Sequence, residues 1–578
     1  MTVAICGTGL GGGINTAIGK AMLLAGDELH IEPAVIPANA VDREVKRFRE
    51  AVAKAVEQLH DIRHQIPEST PSDILEFIDT HLLMLEDKAI SEAPVSSIRE
   101  EGCTAEWALQ LRRNQLVRVF DEMQDPYLRT RKDDVDHVVK RVQNILLGRS
   151  ETRLLEVGSH IVVARDLTPA DIILLHHQDV RGLITEFGSP MSHTAILARS
   201  LGIPTIMGAH NVTRHIDDDE SIIIDAKNGV ALTDCDAQCT RFFQQRLAAE
   251  EARKQSLKPL SRSAAQTRDG HPLRLLANIE LPEDVHSASE TGAQGIGLYR
   301  TEFLYMNRSS LPSEEDHFQA YLQVVLGMPD ALITIRTLDL GADKQCEHHH
   351  QSIPSPNPAL GLRAIRLCLK EIDIFRIQIR AILRVSSYGQ VRLMIPMLTN
   401  LWEAQHARAL IDDEIHNLQK AGVAINQDIP IGAMIETPAA ALTVAGFTEA
   451  FDFLSIGTND LIQYTLAVDR SDDSVAHLYD PLHPAMLLLI KGVIDTAARS
   501  GTPLGMCGEM AGDPSYIPLL IGLGLSELSM HPGSLLEAKQ LIGQLDYLEL
   551  RQQVDELMQQ PDSFGLEQRV RQLGKSPV

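Results

Sequence analysis

From residue 271 onward the chain repeats one pattern: a short apolar run, most often closed by polar residues. The eight runs are Leu273–Ile279, Gly295–Glu302, Leu332–Asp339, Val391–Met397, Ile431–Glu436, Phe453–Asp460, Pro503–Glu509 and Glu527–Met530. Helical segments separate most of them. Eight β-α units in roughly 300 residues predict a parallel (β/α)8 barrel of the TIM type.

Active sites of such barrels lie at the C-terminal ends of the strands. Read in order, those ends offer Arg300 and Glu302, then Arg336 and Asp339, then Glu436, then Asn459 and Asp460, then Cys507 and Glu509. Arg363 and Arg470 follow just beyond the third and sixth strands. Any one of these fits a structural ion pair. Their convergence on one rim fits a binding site better. Guanidiniums fork onto phosphate and carboxylate oxygens. The carboxylates of Glu436 and Asp460 suit a Mg²⁺ ion that also takes substrate oxygens. Cys507 is placed to move a proton. A small anion carrying phosphate and carboxylate, such as phosphoenolpyruvate, matches this mouth. Loss of its phosphoryl group leaves an enolate, and Cys507 is the natural acid to protonate it.

The rest of the chain reads differently. At 578 residues it is too long for one core, and three or four domains are expected. Residues 1 to about 20 give an apolar strand and the glycine run Gly7–Gly13. No βαβ unit with a later ribose-binding acid follows, so a glycine-rich turn is preferred to a dinucleotide loop. From about 40 to 147 the apolar residues recur at helical spacing, which predicts an α-helical bundle. Short strands at Ile161–Ala164, Gly182–Thr185, Thr205–Gly208 and Ser221–Asp225 predict a compact α/β domain. The expected division is 1–20 plus 148–232 for the α/β domain and 21–147 for a helical insertion. A linker helix over 233–262 and the barrel over 263–578 complete it.

The α/β domain carries Gly188-Ser189-Pro190-Met191-Ser192-His193-Thr194, running into Ala195–Ser200 with Arg199. A histidine at a helix start, beside free N–H groups and a cation, suits phosphate. Imidazole is also a nucleophile able to carry a phosphoryl group. An incidental histidine is the plain alternative.

Composition narrows the partners. A net charge of −25 disfavours nucleic acid and suits a basic protein partner. The longest apolar runs, such as Ala485–Ile490, are too short to span a bilayer, and the N-terminus lacks the basic flank of a secretory signal. Seven scattered cysteines without a Cys-x-x-Cys pair read as reduced thiols, which places the protein in the cytoplasm. Cys235 and Cys239 read as helix residues, and His348-His349-His350 as a solvated loop.

Ser192–Arg199 resembles the phosphohistidine signature of phosphoenolpyruvate-utilising enzymes. Gly297–Leu304, Glu436–Ala440, Phe453–Leu461 and Gly505–Glu509 resemble their barrel motifs, and Thr80–Asp87 resembles a carrier-binding helix. In order and length the set is similar to the enzyme I family of the phosphoenolpyruvate-dependent sugar phosphotransferase system. The resemblance implies that His193 becomes phosphorylated on Nε2, with Thr168 steadying its ring and Arg199 in support. It implies that Arg300, Arg336, Asn459, Asp460 and Arg470 bind phosphoenolpyruvate, with Arg363 nearby. Glu436 and Asp460 would hold Mg²⁺, and Cys507 would protonate the enolate. It further implies transfer to a histidine of HPr or an HPr-like carrier, a homodimer joined through the barrel, and a swinging histidine domain. The sequence departs from the family at Gly188-Ser189-Pro190-Met191, where Gly-Gly-Arg-Thr is usual, at Gly7–Gly13, and at Gly341-Ala342-Asp343-Lys344. A phosphoenolpyruvate-binding regulatory paralogue with weak catalysis is the alternative. The related dikinases need an ATP-binding domain, for which about 150 residues ahead of the histidine domain leave no room.

Overall fold

A computed structural model describes residues 2–10, 15–24, 31, 33–65, 72–122, 126–148, 158–167, 171–172, 175–176, 178–188, 194–195, 198, 201–305, 311–340, 357–469, 475, 478–559 and 565–574. The chain forms two compact units, 1–255 and 256–578.

The first unit contains an eight-stranded mixed sheet. Its strands are β1 Val3–Cys6, β2 Thr8–Leu10, β3 Thr16–Leu24, β4 Ile161–Ala164, β5 Gly182–Thr185, β6 Thr205–Met207, β7 Ser221–Asp225 and β8 Val230–Thr233. They lie in the order β1-β8-β7-β3-β4-β5-β6-β2. β3 pairs parallel with β4 and antiparallel with β7, so it sits mid-sheet, while β1 and β2 form the two edges. The β-branched runs Ile161-Val162-Val163 and Ile222-Ile223-Ile224 are buried, as strands covered on both faces require. The turn from β7 to β8 needs Gly229. Its φ is +65°, and a Cβ there would stand 2.2 Å from the Gly7 carbonyl oxygen.

Among the described residues, six α-helices lie between β3 and β4: α1 Val41–Gln65, α2 Ser72–Glu86, α3 Lys88–Ser91, α4 Ala93–Glu101, α5 Ala105–Glu122 and α6 Pro126–Leu146. Their apolar stripes meet in a core that includes Phe48, Leu59, Leu85, Ile98, Leu109 and Val142, each at most 1% exposed. Arg113 braces α5 against α6 through a two-pronged bond to Asp136 at 2.6 and 2.7 Å. After β8 comes a 21-residue helix, Ala237–Leu257. Arg246 ties it to Asp225 at 2.7 Å, and Glu250 accepts from Thr16 Oγ1 at 3.1 Å. Cys239 lies in its first turn, whereas Cys235 precedes Asp236, whose carboxylate caps the helix.

The second unit is a closed barrel of eight parallel strands. They are β9 Arg274–Ile279, β10 Gly295–Tyr299, β11 Leu332–Arg336, β12 Gln390–Ile395, β13 Ile431–Ile435, β14 Phe453–Ile456, β15 Leu504–Met506 and β16 Glu527–Met530. Each expected run supplies one strand, and β16 closes on β9 with Leu528 beside Leu275. Several strands stop earlier than the apolar runs suggest. β14 ends at Ile456, and Asn459 and Asp460 fall in the first turn of the helix Thr458–Leu466. The ladder with β15 ends at Met506, and the chain turns through Gly457. Alternate strand residues face opposite ways. One set joins the strands to the surrounding helices, while Leu298, Met394, Met434, Phe453 and Cys507 form a separate interior cluster. Among the described residues, no helix is long and apolar enough to cross a membrane. His348-His349-His350, expected to form a solvated loop, lie outside the described residues.

Candidate active site

The polar residues that close the barrel strands form one buried ionic network. Arg336 ends β11 and is 8% exposed. Its Nη2 donates to Glu302 Oε1 at 2.9 Å, and its Nη1 lies 3.0 Å from Asp339 Oδ2. Arg363 immediately precedes the helix Ala364–Lys370 and reaches the other oxygen of Asp339 at 2.8 Å. It also donates to the Tyr464 hydroxyl at 3.1 Å and lies 3.7 Å from Asp460. Asp339 therefore bridges two guanidiniums. Burial alone would push both arginines toward the neutral form. The carboxylates of Glu302 and Asp339 around Arg336, and of Asp339 and Asp460 around Arg363, outweigh it and hold both above the ordinary range.

Glu436 follows β13 and is 2% exposed. Its Oε1 accepts from the backbone N–H of Met397 at 2.6 Å. Burial, and next the charges of Asp339 and Asp460, push its carboxyl up to about 8, against the opposing pull of Arg336. One carboxylate oxygen each of Asp339, Glu436 and Asp460 fall within 4.8 Å of one another. Three buried oxygen donors at that spacing make a fitting set for a small hard cation. Asp339 thus joins the two carboxylates singled out in the sequence.

Cys507 follows β15 and is 3% exposed. Its thiol points 3.7 Å from the Ile456 carbonyl oxygen. Burial is the main reason its thiol sits above the ordinary range, and Glu436 adds to it, while Ser455, Arg336 and Arg300 pull the other way. A buried thiol held in its protonated form suits an acid. Asn278, which the sequence reading did not single out, donates to the Cys507 carbonyl oxygen at 2.9 Å.

Arg300 follows β10 and pairs with Glu280 at 2.6 Å. Asn459 exchanges two hydrogen bonds with Glu509: its amide donates at 3.1 Å and its oxygen accepts the Glu509 N–H at 2.9 Å. The barrel therefore gathers Arg300, Arg336, Arg363, Glu436, Asn459, Asp460 and Cys507 at its strand ends. Arg470 lies outside the described residues, as do Thr168, His193 and Arg199 of the other unit.

Three family models match the chain. The PEP-binding domain of PEP-utilising enzymes covers residues 254–547, their N-terminal domain 7–131 and their mobile domain 157–229. A phosphoenolpyruvate-protein phosphotransferase of Cupriavidus necator is 42% identical over 97% of both chains. The chain belongs to the family of PEP-utilising enzymes. Proteins of the same printed name from Bacillus subtilis and Geobacillus stearothermophilus are 40% and 41% identical. Their matches cover 93% and 92% of this chain, and 94% and 92% of the relatives. The matched PEP-binding domain contains all eight barrel strands and the whole network around Asp339.

Proposed function

We propose that this PEP-utilising enzyme is a phosphoenolpyruvate-protein phosphotransferase, the first donor of a sugar phosphotransferase system. The observation that carries the reading is the carboxylate trio set against Arg336 and Arg363 at the barrel mouth. It stands in a chain 42% identical, end to end, to a protein bearing that name. Three proposed guanidiniums, Arg300, Arg336 and Arg363, hold the phosphate and carboxylate of phosphoenolpyruvate, assisted by Asn459, Asp460 and Arg470. Asp339, Glu436 and Asp460 would hold Mg²⁺, which would supply positive charge to offset that of the phosphoryl group.

In this reading His193 Nε2 attacks phosphorus as the bond to the enol oxygen breaks. The electron pair of that bond leaves on the enolate of pyruvate. Cys507 gives its proton to the methylene carbon, completing pyruvate, and the thiolate recovers a proton from solvent. Thr168 and Arg199 steady the phosphorylated ring. The phosphoryl group then passes to a histidine of HPr or an HPr-like carrier, which releases neutral His193 for another round. The proposed division of labour is 1–20 plus 148–232 for the histidine domain, 21–147 for carrier docking, 233–262 as the linker and 263–578 for phosphoenolpyruvate. The barrel would also join two copies in the cytoplasm.

The test is turnover without ATP. The purified chain is mixed with Mg²⁺, phosphoenolpyruvate and an HPr-type carrier, and pyruvate is followed. Steady pyruvate release that requires the carrier is expected. Phosphoenolpyruvate binding without pyruvate release would replace this reading with that of a regulatory paralogue.

A further inference from the structure

The arginines at the ends of β10 and β11 rest on a buried amide that touches neither. Gln378 lies on the helix Ile372–Val385 and is fully buried. Its Oε1 accepts the backbone N–H of Leu338 at 2.8 Å. Its Nε2 donates to Thr301 Oγ1 at 2.9 Å and to the Tyr321 hydroxyl at 3.1 Å. Thr301 Oγ1 in turn donates to the Arg336 carbonyl oxygen at 2.9 Å. The Tyr321 hydroxyl pairs with His317 Nδ1 at 2.9 Å. Thr301, His317 and Tyr321 are all fully buried.

The connectivity is specific. Thr301 is the residue between Arg300 and Glu302. Leu338 lies between Arg336 and Asp339. One side chain therefore clasps the two segments that carry Arg300, Glu302, Arg336 and Asp339. Both N–H donors of the amide and its oxygen are engaged, so no solvent-satisfied alternative exists for it in this buried place. Glu302 also closes the same gap, since its Oε1 accepts both Arg336 Nη2 and the Asp339 N–H at 2.9 Å.

We propose that Gln378 is a positioning residue for phosphoenolpyruvate, fixing the spacing of the Arg300 and Arg336 segments from behind the barrel wall. The inference rests on the reading that these arginines hold the substrate. Productive geometry in a charged site tolerates little displacement, so loosening the clasp acts on substrate binding before it acts on the fold. Of the three helix side chains Gln378, Tyr321 and His317, Gln378 is the one that bonds to both segments, reinforcing from behind the direct Thr301–Arg336 and Glu302–Asp339 links.

The test compares two variants of the full chain. Gln378→Met keeps the length and volume of the side chain and removes all three hydrogen bonds. Tyr321→Phe removes one hydroxyl and leaves both segment links. Initial rates of pyruvate formation are measured across phosphoenolpyruvate concentration, with thermal melting of the barrel as the control for folding. Gln378→Met should raise KM for phosphoenolpyruvate about ten-fold at an assay temperature where it is folded, the loss expected from unpaired buried groups. Tyr321→Phe should stay within about two-fold. Gln378→Glu keeps the acceptor and, when protonated, one donor, so its KM should fall back toward wild type as pH is lowered. A folded Gln378→Met with unchanged KM would overturn the proposal, as would a Tyr321→Phe that raises KM equally. Absence of pyruvate formation in the wild-type chain would instead refute the underlying functional reading.

Discussion

Glu436 receives the backbone N–H of Met397 at 2.6 Å, and Met397 holds a φ of +57° to deliver it. A buried methionine adopts that backbone conformation only where its surroundings impose it. The single hydrogen bond does not offset the burial of Glu436 and, next to it, the charges of Asp339 and Asp460, and its carboxyl is pushed up to about 8.

The sign of the resulting pH dependence follows directly. Glu436 binds its proton more tightly in the folded chain than in the unfolded one. Its contribution to stability is complete below its ordinary value of 4.5 and is lost as pH rises through about 8. The metal-free protein should therefore melt at a lower temperature near pH 9 than near pH 6. Glu436→Gln removes the titrating group, so the variant should gain on wild type as pH rises while losing phosphoryl transfer by about a hundred-fold or more. Parallel melting profiles across that range would contradict the electrostatic account.

Metal uptake should release a proton. A cation between Asp339, Glu436 and Asp460 competes with the proton on Glu436. Calorimetric titration of Mg²⁺ into the protein near pH 7, in buffers of different ionisation enthalpy, should reveal up to about one proton released per site. Heats independent of the buffer would show that the three carboxylates are already ionised.

Removing Asp339 takes one carboxylate partner from each of two buried cations. Its side chain contacts Arg336 at 3.0 Å and Arg363 at 2.8 Å, and all three are largely buried. Asp339→Ala should cost about 3 kcal/mol of barrel stability, the range for breaking one side of a buried ion pair. Denaturant unfolding measures this. A loss below about 1 kcal/mol would mean that the arginines are solvated by water instead.

Cys507 should matter to chemistry and not to binding. Its thiol is held protonated mainly by burial. Cys507→Ala should slow pyruvate formation by about 10²–10⁴, the usual contribution of a positioned acid. Phosphoenolpyruvate affinity, measured by calorimetry, should change by less than about three-fold. Wild-type rates in this variant would assign the proton to another donor.

The barrel was legible because its strands are buried on both faces and read as apolar runs. The site was legible because arginines and acids close those runs. Contacts that arise only on folding were not. Gln378 looks like one polar residue on an apolar helix, and its clasp on Thr301 and Leu338 spans 77 and 40 residues of sequence. Asp339 was visible at a strand end, but its place beside Glu436 and Asp460 depends on closure of the barrel. Asn459 and Asp460 read as the end of a strand, yet they open a helix because the β14 ladder stops at Ile456. β2 and β8 are short, three and four residues; β2 pairs antiparallel with β6, distant in sequence, and β8 pairs with its neighbour β7 and with the distant β1.

The most direct measurement is incubation of the full chain with Mg²⁺ and phosphoenolpyruvate labelled in the phosphate, without ATP. Label that is acid-labile, base-stable and absent from His193→Ala is the expected result. It should appear with pyruvate in equal amount and leave the protein when an HPr-type carrier is added. Phosphoenolpyruvate that binds the barrel without labelling the protein, or label that survives in His193→Ala, would contradict the central claim.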